Sequence, residues 1–117
     1  MNKYFSEERI NMEYKSSELE KIVKELTIEE IAVIAVLDEI TPKPLPYLIE
    51  KLPRGINAMK TVEKLSGRGI VRTELPIINS IHYEPPLISF TPLGRMLRNY
   101  LYETKRIISE EEAIYLR

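Results

Sequence analysis

The 117-residue sequence contains no cysteine, no tryptophan and no glutamine, and it has one histidine and four glycines. Without cysteine there is no disulfide, no thiolate metal site and no cysteine nucleophile. With His82 as the one histidine, a histidine-based metal site and a Ser-His-Asp triad within one chain are both disfavoured. None of the glycines falls in a GxGxxG or GxxxxGK pattern, which removes the phosphate-cradling loops. The longest strongly apolar run, residues 31–37, is far too short to cross a bilayer. The charged opening MNKYFSEERI lacks the apolar stretch of an export signal. These absences predict a cytoplasmic chain with no membrane partner and no cofactor. Nor do they favour an enzyme: the paired acids Glu29-Glu30 and the run 110–112 are explained as helix-start residues favoured by the helix dipole. The lack of glutamine and cysteine beside abundant Ile, Leu, Glu and Lys follows the thermophile tendency.

What is present is a globular composition, 44% hydrophobic and 30% charged, in a length that suits one domain. The net charge of −1 conceals an asymmetry. Residues 1–40 carry five bases and ten acids, a balance of −5. Residues 41–72 carry seven bases against Glu50 and Glu63, a balance of +5. Residues 73–117 return to −1. A local positive field attracts a polyanion even when the whole chain is near neutral.

Helix starts are marked by capping patterns. Ser17 with Glu20 precedes Leu19, Ile22, Val23 and Leu26, one face of a short helix. Thr27 with Glu30 opens a largely apolar helix over 28–40, which must stop before Pro42. Pro46 suits the first turn of a short helix over 45–52. After the break LPRG, a helix over 56–67 buries Ala58, Val62 and Leu65, with Thr61 beside them, and Gly69 fits the left-handed position past its end. The β-branched stretch from 70 to 90 predicts two strands, 70–78 and 81–90, paired as a hairpin. Pro76, Pro85 and Pro86 should hold these strands to an edge or interrupt them. Thr91 caps a helix over 92–107 with Pro92 at its first position, and Ser109 with Glu112 marks a last short helix.

Two short helices across a tight turn, followed by a hairpin, describe a helix-turn-helix with a wing. The residues then carry a resemblance. VEKLSGRGIVR, Val62 to Arg72, resembles the end of the recognition helix and first wing strand of MarR-like winged helix-turn-helix transcription regulators, in shape the small archaeal type. SFTPLGRML, Ser89 to Leu97, resembles the return strand and following helix start of the same family. The resemblance spans residues 27–104. The expected fold is mainly α with a small β-hairpin (α+β): a single winged-helix domain over 1–117, with an N-terminal helical extension at 1–26, a core at 27–91 and C-terminal helices at 92–117. The terminal helices are expected to form a dimer.

On the predicted recognition helix, Asn57 and Lys60 lie opposite the core stripe near the N-terminus and are candidates for base contacts. Lys64, Arg54 and Lys43 are candidates for phosphates, and Arg68 and Arg72 for the backbone at the wing root. The resemblance adds Thr61. The wing region 73–86 has Glu74 and Glu84 and no Lys or Arg, leaving Asn79, Ser80 and His82 as its neutral donors. A chain with one recognition helix is expected to bind as a two-fold dimer, reading two half-sites. Leu97, Tyr100, Leu101, Ile108 and Tyr115 are candidates for that contact. The expected partners are double-stranded DNA and a second copy, and no effector is identified. The alternative reading is a winged helix that docks proteins, for which the acidic, apolar wing with Ile77, Ile78 and Ile81 speaks.

Overall fold

In the computed structural model, residues 16–74 and 85–107 are described. Among them, five helices surround a three-stranded antiparallel sheet. α1 covers 16–25 and buries Leu19 and Val23, the face its periodicity predicts. Ser17 is itself helical, so it is not the expected cap, a position that requires extended backbone. α2 (Ile28–Val36) has the expected capping box: the Thr27 hydroxyl accepts from Glu30 N–H at 3.2 Å, and the Glu30 carboxylate accepts from Thr27 N–H at 3.1 Å. The helix ends at Val36 and not at 40. The Asp38 carboxylate accepts from the N–H groups of Ile40 (2.8 Å) and Thr41 (2.9 Å), a local turn that competes with further helix.

β1 (Lys43–Pro44) is a two-residue edge strand that sequence reading passed over as turn. α3 (Leu45–Lys51) follows, with Pro46 in its first turn. α4 (Ala58–Gly67) starts two residues later than expected because Asn57 is its cap, with extended backbone and its side-chain oxygen accepting from Lys60 N–H at 3.1 Å. Gly69 (φ 77°) turns the chain out of α4, as its position past the helix end predicts.

β2 (Val71–Glu74) and β3 (Leu87–Phe90) pair antiparallel, Val71 opposite Phe90 and Glu74 opposite Leu87. β3 also pairs with β1, so the order is β1-β3-β2 and β3 is central. Pro85 and Pro86 do not push it to an edge, because they lie just before the ladder begins. The proline in the ladder, Pro44, sits on an edge strand. The described strands are shorter than expected, and residues 75–84 lie outside the described set. α5 (Pro92–Glu103) is capped by the Thr91 hydroxyl, which accepts from Gly94 N–H at 3.0 Å. It stops before 107 because Lys105 adopts φ 60°. Val33 and Ile34 of α2, Leu48 of α3, Leu65 of α4, Ile70, Ile88 of β3 and Leu97 and Leu101 of α5 are fully buried and form one core. No helix among the described residues is long and apolar enough to cross a membrane.

Candidate nucleic-acid interface

Every fourth or third residue of α4 goes inward: Ala58, Thr61, Val62 and Leu65 are buried. The other side presents Met59, Lys60, Glu63, Lys64, Ser66 and Gly67, all exposed. That surface is neither folded into the core nor covered by another described element. Among the described residues, no side-chain hydrogen bond or ion pair engages Lys60, Lys64 or Arg54. Asn57 is exposed at the head of this face. Its oxygen is spent on the cap, and its amide NH2 remains as a donor.

Lys43 lies on β1, at the edge of the sheet away from β2. Its ammonium sits 5.0 Å from the centroid of the Tyr47 ring, and Lys51 approaches the same ring at 5.8 Å. Sequence reading did not single out Lys51. The four-residue step from Tyr47 to Lys51 within α3 was the available signal. Arg72 is exposed on β2 opposite Ser89.

Two expected contacts fall away from this surface. Thr61 is 5% exposed, and its hydroxyl donates to the Asn57 carbonyl at 2.8 Å, so it belongs to the packed side of α4. Arg68 does not extend from the wing root. Its Nε donates to the Glu30 carboxylate at 2.8 Å, one terminal nitrogen donates to the Glu25 carbonyl at 3.3 Å, and the other lies 3.5 Å from the Glu25 carboxylate. Glu30 is fully buried, and an unpaired buried carboxylate is costly, so the guanidinium is held where it offsets that charge. The capping-box role of Glu30 was legible in the sequence. Its second partner, 38 residues away, was not.

Leu97 and Leu101 are 0% exposed and pack into the chain's own core, which corrects their expected place on a dimer surface. Tyr100 is half-buried and donates from its hydroxyl to the Glu20 carboxylate. Arg106 also meets Glu20, at 2.9 Å to each oxygen, and lies 5.7 Å from the Tyr100 ring centroid. The Tyr100 hydroxyl first, and Arg106 second, hold the Glu20 carboxyl below its usual range, and the same hydrogen bond raises the Tyr100 phenol. Asn79, Ser80 and His82, the apolar Ile77, Ile78 and Ile81, and the dimer candidates Ile108 and Tyr115 lie outside the described residues. Among the described residues, no group of three or more acids or histidines could hold a metal ion.

No family model matches the chain, and no curated protein matches it. Solved structures do. RV1404 from Mycobacterium tuberculosis superposes with a TM-score of 0.56 at 18% identity, covering 96% of this chain and 73% of that one. A Bacillus cereus ATCC 10987 protein described as a MarR-like transcription regulator superposes with a TM-score of 0.51 at 20% identity, covering 98% of this chain and 88% of that one. The chain has a MarR-like winged-helix fold. In this winged helix, α3 and α4 are the two arms of the helix-turn-helix, and β2 and β3 are the roots of the wing.

Proposed function

We propose that the chain is a sequence-specific regulator of transcription that binds double-stranded DNA as a homodimer, with α4 in the major groove of each half-site. One observation carries this reading. The outward face of α4 holds Lys60 and Lys64, exposed and unengaged among the described residues, inside the 41–72 stretch whose charge balance is +5. A major groove is wide enough for a helix, and basic and amide side chains match its base edges. Asn57 and Lys60, in the first turn, are assigned to bases. Lys64, Arg54, Lys43 and Arg72 are assigned to phosphates, which supply affinity and salt dependence. A homodimer presents one α4 to each half-site of a two-fold site.

The test is a gel-shift series over salt. Affinity falls steeply as salt rises, and replacing Lys60 and Lys64 together with Ala abolishes the shift. Normal binding by that double variant overturns the groove assignment. A protein-docking reading is favoured by the exposed apolar side chains of Ile49 on α3 and Met59 on α4, 59% and 46% accessible. Under that reading the chain binds no duplex at any salt concentration.

A further inference from the structure

α4 contains a single acid, Glu63. With Ala58, Thr61, Val62 and Leu65 forming the buried stripe, an advance of about 100° per residue sets Glu63 near the middle of the outward arc. Met59 lies one turn before it, Gly67 one turn after, and Lys60 and Lys64 alongside. Its side chain is exposed, and among the described residues no ion pair joins it to either lysine. It lines a cleft between α4 and the strand roots with Met59, Val62, Ser66, Thr73 and Pro86, none of them a cation.

A free carboxylate in the centre of a surface that meets a polyanion opposes every approach to a duplex. That cost is offset only where the carboxylate accepts a hydrogen bond in the complex, because an ionised carboxylate accepts and does not donate. In the major groove guanine presents two acceptors, thymine an acceptor and a methyl group, and adenine an amino group next to an acceptor. Cytosine alone presents an amino donor with no acceptor beside it on the same base.

Resting on the DNA-binding reading above, we propose that Glu63 is a specificity-determining residue that accepts a hydrogen bond from the N4 amino group of a cytosine in each half-site. The same carboxylate repels thymine O4 or guanine O6 in that place, so it selects by rejection as well as by attraction.

The experiment uses the full chain. A duplex is selected from a random pool, and its C·G pairs are changed one at a time to T·A, which replaces the N4 donor by the O4 acceptor. The wild type is expected to lose about tenfold in affinity at one such position in each half-site. Glu63→Gln can both donate and accept, so it is expected to lose discrimination at that position alone and to bind a scrambled duplex more tightly than wild type. Glu63→Ala, a second variant at an exposed position, shows the same loss of discrimination. A C-over-T preference unchanged at every position in both variants, or a wild type insensitive to every C·G change, overturns the role of Glu63 and leaves the DNA-binding reading standing. Failure of the wild type to select any duplex overturns both.

Discussion

A methyl group on Gly94 would lie 2.0 Å from the carbonyl oxygen of Ile70 and 2.9 Å from the Phe90 ring. Neither backbone nor a fully packed ring yields cheaply, so Gly94→Ala is expected to destabilise the fold by at least about 2 kcal/mol, seen as a lower urea midpoint. The position illustrates what single residues in a sequence disclose. Gly69 was readable, because a glycine just past an apolar stripe has a backbone reason to be there. Gly94 was not, because a glycine in the first turn of a helix looks neutral until the strand beneath it is known. The cations divide in the same way. Lys60 and Arg68 look alike as positive charges near one helix, and only the buried carboxylate of Glu30 separates a free side chain from a strut. Thr61 was placed at the edge of the core by its angular position, and burial agrees with that angle.

Elements were more legible at their beginnings than at their ends. Thr27 and Thr91 each marked a start, because caps are local chemistry between residues three apart, and Pro46 marked another, because its missing N–H costs nothing in a first turn. The ends of α2 and α5 depended on a carboxylate turn at Asp38 and a left-handed Lys105, which apolar periodicity does not encode. β1 was invisible because two residues carry no period, and its pairing with β3 is a tertiary event. The tie between elements gives a prediction. Arg68 joins the C-terminal end of α4 to Glu30 in the first turn of α2 and to Glu25 at the end of α1. Arg68→Ala strands a buried charge, although the arginine side chain is itself a third exposed, and is expected to cost about 2 kcal/mol in denaturant unfolding. Measured at a temperature where the variant is folded, its affinity for a selected duplex and its salt slope should match wild type. A slope reduced by about one per protomer would return Arg68 to the phosphate contacts.

Across the whole molecule the fold class was readable from the order of the elements and from the segments Val62 to Arg72 and Ser89 to Leu97. Which apolar residues were left over was not. Leu97 and Leu101 looked like surplus because sequence alone cannot say how much of α5 the core consumes. Global stability should also report on the carboxylates that tie the structure together. Glu20 is held below its usual range by Tyr100 and then Arg106, and Asp38 by the N–H groups of Thr41 and then Ile40. A depressed carboxylate adds stability above its unfolded pKa and loses it as pH falls through its folded one. Urea midpoints should therefore hold steady near neutrality and fall below about pH 4. Tyr100 carries the opposite sign: its phenol is raised, so its share is lost as pH climbs past the ordinary phenol value of about 10. Glu20→Gln should blunt both limbs, and an unchanged profile in that variant would remove Glu20 from the account.

The joint between α4 and α5 has a mechanical meaning. The Ile70 carbonyl accepts the Thr91 N–H at 3.0 Å, the Thr91 hydroxyl donates to the Gly69 carbonyl, and Gly94 leaves no slack between helix and strand. The start of α5 is thereby fastened to the turn that ends α4, so a substitution that loosens Thr91 is expected to be felt in both helices.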